Sequence, residues 1–417
     1  MTVKRLVAII FIFICTFVAW MILGAVNLSR TGESYAELHE DVRSLYGDAL
    51  KISAPSMAHV EMVPSVVVQN GVQTTQYAEQ KTDIDVGKQQ VRIGLHLDRR
   101  KKGTLWFPTF KATFHGTYWF DIPAEMQQEK VRLYASLGNS NAVYKDIEIK
   151  INGKRRQQIT PFLKNTPIEI DAPGKRVTLE MSFRTTGMGE VSYLVTPEYD
   201  EVSEIRNLDL QVETDFDDYD FLADTLSPTS KEKTQAKNLL SWRLKNAVTG
   251  KDIGVVIPNK LNPGEILSRV TFFAPVPLLF FFFIVMMISI LKKIPFHPMH
   301  YFFLATAFFS FHLVFSYYSD HMNIYTAFAI ASVVSLLLTS SYLRLFTPKT
   351  FAFVIAPIAQ LIYLIIFSFS FFFKGTSGFI GATFSVLTLF VLMQLTGKLN
   401  WEDVFSAKKK NDTTKEA

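Results

Sequence analysis

Apolar positions are distributed along this chain in two ways. Six stretches are continuously apolar: about 6–26, 271–291, 298–318, 324–345, 350–373 and 378–397. Each supplies roughly the 20 residues that a helix needs to cross a bilayer core. None has a charged side chain in its middle, where burial would cost several kcal/mol. Between the first and second stretches the apolar positions are periodic instead. Tyr35, Leu38, Val42, Leu45 and Tyr46 recur at helical spacing and predict a short helix near 33–50. The period then falls to two. Ile147, Ile149 and Ile151 alternate with charged residues, as do Val177, Leu179, Met181 and Phe183, and again Leu208, Leu210 and Val212. Further strands are predicted over 60–69, 90–98, 104–114, 116–122, 130–137, 190–196, 238–245 and 252–258. The pairs Asn152-Gly153, Pro173-Gly174 and Thr249-Gly250 punctuate them as turns. Asn-Gly between alternating runs predicts a hairpin. About eleven strands in roughly 210 residues predict an antiparallel sandwich.

The pattern therefore predicts an α+β membrane protein. A transmembrane signal-anchor helix occupies 1–26, and an exported, mainly-β, sandwich-like domain occupies 27–270. A five-helix transmembrane bundle follows over 271–397, then a Lys-rich tail over 398–417. Lys4 and Arg5 precede the first apolar run, as in a signal peptide. That run is longer than a cleavable core, and the nearest small-residue site is only Gly24-Ala25, so an uncleaved anchor is expected.

Composition sharpens this picture. Of 417 residues, 48% are hydrophobic and 37 are Phe, and in 1–26 plus 271–400 the only acidic residue is Asp320. A soluble cytosolic enzyme is excluded. The lone Cys15 lies in an apolar run and excludes a disulfide scaffold. The net charge of +5 invites a nucleic-acid reading, but residues 27–269 carry 31 Lys and Arg against 33 Asp and Glu. The basic surplus flanks the apolar stretches, so no nucleic-acid partner is expected. With the N-terminus inside, the inner segments hold Lys4, Arg5, Lys292, Lys293, Arg344, Lys349 and the tail lysines, while the short outer loops hold only Lys374. This predicts cytoplasmic termini and, in a bacterium, a periplasmic domain over 27–270.

No phosphate loop, zinc-protease pair, Cys pair or nucleophile elbow is present, so no catalytic residues, metal or cofactor are expected. His39, His59, His96 and His115 are scattered without ligand spacing. His297, Pro298, Met299, His300 and Tyr301 open the third span, with Pro298 suited to a first helical position. His312 falls mid-span, sharing a helix face with Ala305, Phe308, Ser316 and Ser319. A buried imidazole needs a partner. Ser332, Ser335 and Thr339 on the fourth span are the expected ones, as packing glue or as a proton or ligand site. Asp320 and His321 end the third span as an interface pair or helix stop, with weak metal binding as the lesser reading. Arg99, Arg100, Lys101 and Lys102 form a basic knot, expected as a solvated hairpin tip, with anionic lipid or envelope polymer as the alternative contact. Ala327, Ala331, Ser335 and Thr339, with Gly381 and Ser385, give small-residue stripes suited to close helix packing. No broken helices in paired halves, which would mark a carrier, are evident.

The segment His297-Pro298-Met299-His300-Tyr301, continuing through Phe311-His312-Leu313, Ser319-Asp320-His321 and Ala327-Phe328, resembles the inner-membrane CreD family. So does Leu105-Trp106-Phe107-Pro108-Thr109-Phe110-Lys111-Ala112 with Gly116 and Phe120. The likeness is good over 295–345, fair over 90–122 and architectural elsewhere. Asp320 stands where the family favours Glu, Ala305 where it favours Gly, and His312-Leu313-Val314-Phe315 replaces a leucine-rich stretch. The resemblance implies one N-terminal span, a periplasmic β-rich domain and a helical bundle. It also implies a role in envelope integrity, linked to tolerance of colicins and antibiotics. It names no reaction. The leading expectation is a non-enzymatic protein of the bacterial inner membrane whose partners are the bilayer and an unidentified periplasmic protein or lipid. The rivals are a small transporter or lipid-handling protein using the third and fourth spans, and a membrane enzyme.

Overall fold

A computed structural model describes residues 3–397 except 70–71, 104, 128, 140, 172–173, 196–202, 235–236, 261, 293, 374 and 376. The Lys-rich tail, Lys293, Lys374 and Pro173 thus lie outside the described residues. The chain forms two compact units, Glu37–Lys260 on the one hand and Met1–Ala36 with Leu261–Ala417 on the other.

The first unit is built of sheets. Eight strands form the largest, in the order Lys154–Arg155, Lys145–Ile151, Arg176–Met188, Thr109–Asp121, Val86–Leu97, Ser203–Thr214, Asn238–Thr249 and Ser230–Lys233. A second sheet orders Ile168–Asp171, Lys130–Tyr134, Ser56–Gln69 and Val72–Ile84. A third orders Leu50–Ser53, Glu190–Leu194, Ile253–Val256 and Asp220–Phe221, and Arg100–Lys102 pairs with Leu105–Phe107. The expected antiparallel arrangement needs correcting at two places. Leu50–Ser53 runs parallel to Glu190–Leu194, and Val86–Leu97 runs parallel to Ser203–Thr214. Long intervening segments supply the crossovers that parallel neighbours require.

Period-two alternation drives the core. Val177, Leu179, Met181 and Phe183 are buried along one strand and face Phe120, Tyr118, Gly116 and Phe114 on the next. Gly116 keeps this strand continuous where sequence suggested a break between 114 and 116. A Cβ there would sit 2.8 Å from the Tyr118 ring and 2.9 Å from the Phe114 ring, so glycine makes room for both. The break falls earlier, at Pro108, which has no N–H for a ladder. Side chains from all three large sheets, among them Phe114, Leu133, Val191 and Trp242, share one apolar core. Two large polar side chains within it are paired: Trp242 Nε1 donates to Leu226 O at 2.8 Å, and the Tyr193 hydroxyl to Gln89 Oε1 at 2.9 Å. Burial pushes the Tyr193 and Tyr118 hydroxyls above their usual pKa. At Asn152-Gly153 both residues have positive φ, 51° and 75°, which closes the expected hairpin between Ile151 and Lys154.

The helices follow from the apolar runs, with two corrections. The first helix, α1 (Val3–Tyr46), continues without interruption through the segment expected as a separate helix. Nothing between the two stretches stops it. No proline intervenes, Thr31 Oγ1 donates back to Asn27 O, and Ser29 Oγ donates forward to Glu33 Oε1. A five-residue helix, α2 (Thr160–Lys164), buries Phe162 in the β unit. The second span is not one straight helix. It is α3 (Pro263–Phe273) and α4 (Pro275–Leu291), bent by 42° at Ala274. Pro275 and Pro277 remove two amide donors there, which is a normal cause of a kink. Helices α5 (Pro298–Tyr318) and α6 (Ile324–Leu343) pack as a pair. The apolar segment Phe351–Phe372 contains π-helical turns at Phe351–Ile355 and Leu361–Ile366, and Ser377–Thr396 is the last described helix. Four described helices are long and apolar enough to cross a membrane, and the bent pair makes a fifth if it counts as one span. The last helix has a shorter apolar stretch, Gly378–Gln394.

Candidate functional site

A polar clasp holds α1 inside the helical unit. Trp20 and Asn27 are seven residues apart on α1, hence on one face, and both are buried. The Asn27 side chain joins three helices. Its Nδ2 donates to Thr271 Oγ1 on α3 at 3.4 Å, and its Oδ1 accepts from Ser316 Oγ on α5. One turn beyond, Arg30 pairs with Asp320 and lies 5.1 Å from the Tyr317 ring centroid. On the other side Gly264 lets α3 close on α1, since a Cβ there would lie 2.0 Å from Thr31 Oγ1. The seam is neutral except for the Arg30–Asp320 pair at its end. It is suited to positioning a helix.

His312 completes the seam. Its Nδ1 meets Phe308 O at 3.1 Å, and its ring stands edge-on to Trp20 at 5.4 Å and to Phe311 at 4.9 Å. The expected partners on α6 are therefore corrected: the imidazole bonds its own helix and packs on α1. The α6 hydroxyls are otherwise engaged. Ser332 Oγ donates to Phe328 O, and Ser335 Oγ donates to Ala307 O at 2.6 Å while accepting from Gln360 Nε2 at 2.7 Å. Four buried atoms of this unit have no hydrogen-bond partner among the described residues: Trp20 Nε1, His312 Nε2, Thr339 Oγ1 and Gln360 Oε1.

The other predicted residues separate into distinct roles. His297 caps α5, its Nδ1 accepting from the Met299 amide at 3.3 Å, with Pro298 in the first turn. Met299 is exposed, whereas Tyr301 is buried against Phe282 and Phe296. His300 stacks on Phe346 at 3.8 Å and meets the Tyr342 hydroxyl at 2.8 Å. Asp320 turns to Arg30, while His321 is exposed beyond the helix end, its amide bonding Tyr318 O. The basic knot is only half free. Arg99 donates to Pro258 O, Lys102 pairs with Asp41, and Arg100 and Lys101 are exposed on the short hairpin. No group of three metal-ligating side chains occurs among the described residues.

Sequence reasoning missed Trp20, Asn27 and Arg30 as partners of α5. Their signal was the seven-residue spacing and the polar residues that directly follow the first apolar run.

Residues 222–402 match the family described as Inner membrane protein CreD. Over that stretch the chain is similar to the CreD membrane proteins. With its several apolar helices it is a multi-pass protein of the inner membrane. The CreD match takes in Thr271, His312, Ser316 and Asp320 of the clasp, and leaves Trp20, Asn27 and Arg30 outside. No curated protein matches the chain.

Proposed function

We propose that this protein is a non-enzymatic component that supports integrity of the bacterial cell envelope. Residues 27–270 lie in the periplasm and bind an envelope protein or lipid, and both termini are cytoplasmic. The observation that carries this reading is the CreD match over residues 222–402, which takes in the helices that follow the β unit. The clasp supports it too: a hydrogen-bonded seam, neutral but for the Arg30–Asp320 pair at its end, suits a retained anchor. Two experiments test it. Deleting the gene should raise sensitivity to envelope-active agents such as colicins and detergents, and the intact gene should restore tolerance. Unchanged tolerance in the deletion strain refutes the role. A reporter active only outside the cytoplasm should work after residues 150, 321 and 376 and fail after 295, 347 and 405.

The bend at Ala274 and the π-helical turns in Phe351–Phe372 favour a second reading, a small transporter or lipid-handling protein. Under it, His312→Leu and His312→Gln both accumulate normally yet fail to complement the deletion.

A further inference from the structure

The strands Ser56–Gln69 and Val72–Ile84 form a long ribbon in unbroken register, from Met57 opposite Ile84 to Gln69 opposite Val72. The neighbouring strand Lys130–Tyr134 supports only its base, pairing with Ser56–His59. From Val60 onward each ribbon strand pairs with the other alone among the described residues. A two-stranded ribbon is at best marginally stable in water without further cover. Here residues Tyr77–Asp83 are exposed on both faces.

Strand Val72–Ile84 is also the edge of its sheet. Native proteins guard such edges with charges, prolines or bulges. The companion strand has Pro64, but Val72–Ile84 has no proline, no glycine and no register shift. The sequence from Met62 to Ala78 has no charged residue. Its charges, Glu79, Lys81 and Asp83, are confined to one end and are of both signs, so this edge turns away most strands and admits one of complementary charge.

Charge selects the added strand. We propose that the edge Val72–Ile84 pairs antiparallel with the same strand of a second copy, about a two-fold axis at Gln80. That register sets Glu79 opposite Lys81 of the second copy, and Lys81 opposite its Glu79. It sets Ala78 opposite Thr82 and Tyr77 opposite Asp83. Centring one residue to either side brings Glu79 against Glu79, or Lys81 against Lys81, and like charges directly opposed are unfavourable. Within its own chain Glu79 holds Arg132 at 2.9 Å, and Lys81 lies 4.6 Å from the Tyr134 ring centroid. The second copy's Lys81 thus extends an existing Arg132–Glu79 pair.

The test uses full-length protein in isolated membranes with Cys15→Ser as background. Opposed residues of an antiparallel pair have Cα atoms about 4.5–5.5 Å apart, within disulfide range. Mild oxidation with copper phenanthroline should convert Gln80→Cys chains to a species of twice the mass. Glu125→Cys, on an exposed turn elsewhere in the same unit, should stay monomeric. Ala78→Cys and Thr82→Cys should crosslink when co-expressed, and at least fivefold less when either is present alone. Adding Lys81→Glu to Gln80→Cys should cut the dimer at least fivefold, whereas Lys81→Arg should preserve it. The proposal is overturned if Gln80→Cys stays monomeric or joins a different protein, or if the mixed pair gains nothing over the single ones.

Discussion

The two units handle buried polar groups differently. In the β unit, Trp242, Tyr193 and Asn238 find partners, Asp209 Oδ1 lacks a hydrogen bond among the described residues but keeps Arg243 Nε at 3.7 Å, and strand ladders use up the backbone. In the helical unit, intrahelical bonds satisfy the backbone, but Trp20, His312, Thr339 and Gln360 each keep one buried polar atom without a partner among the described residues. A ladder pairs donors and acceptors by geometry at each residue. A bundle must find its side-chain bonds one by one, across helices far apart in sequence. The β core is therefore a collective structure, and the clasp is a set of nearly separate contacts.

Substitutions in the two units should reproduce that difference. Trp242→Ala removes a large, fully buried ring from the shared core and should cost about 3–5 kcal/mol. Limited proteolysis should then cleave within Glu37–Lys260; resistance equal to wild type would contradict a single collective core. Asn27→Leu should cost less, about 0.6–2 kcal/mol, as expected for intramembrane hydrogen bonds. It should lower the temperature of thermal aggregation in detergent by a few degrees, with no new cleavage in the β unit. Tyr193→Phe removes a buried hydroxyl that bonds Gln89 Oε1 at 2.9 Å and the Tyr118 hydroxyl at 3.3 Å, and should cost about 0.5–1.5 kcal/mol at neutral pH. The raised hydroxyl pKa adds a pH signature. Folding favours the protonated phenol, so this contribution is whole below about pH 10 and fades as pH rises further. Circular dichroism above pH 10 should show the variant losing less than wild type. Arg30→Gln breaks an exposed pair and should cost roughly 0.2–1 kcal/mol, less in high salt. The smallest effect is expected for His312→Leu, which nearly keeps volume and removes an orphaned nitrogen. A change beyond about 0.5 kcal/mol would mean that the ring does more than pack against Trp20.

The same difference explains what could be read from sequence. Val177, Leu179, Met181 and Phe183 announced both their strand and its buried face, because period-two alternation encodes both. Asn152-Gly153 announced its turn for a similar local reason. The stretch Tyr77–Asp83 of the strand Val72–Ile84 gave no such signal, since its exposure on both faces leaves no alternation to detect. In the helical unit, apolar length identified the spans but not their neighbours. His312 was correctly expected to be buried, yet its neighbour is Trp20, 292 positions earlier, and no periodicity carries that information. The bend at Ala274 was signalled by Pro275 and Pro277, two prolines inside an apolar run.

Asn27 and Thr271, which meet in the clasp, are 244 residues apart in sequence. At about 5–20 residues per second, a ribosome needs roughly 10–50 s to make what lies between them. During that interval α1 is in the membrane while its Asn27 amide and Arg30 still lack the groups they will bond. The apolar run 6–26 must therefore carry insertion by itself, and the clasp closes as one of the last events of biogenesis. For those seconds the open polar face of α1 is available to any other helix with a hydroxyl to offer, so rapid synthesis of α3 and α5 protects the fidelity of assembly.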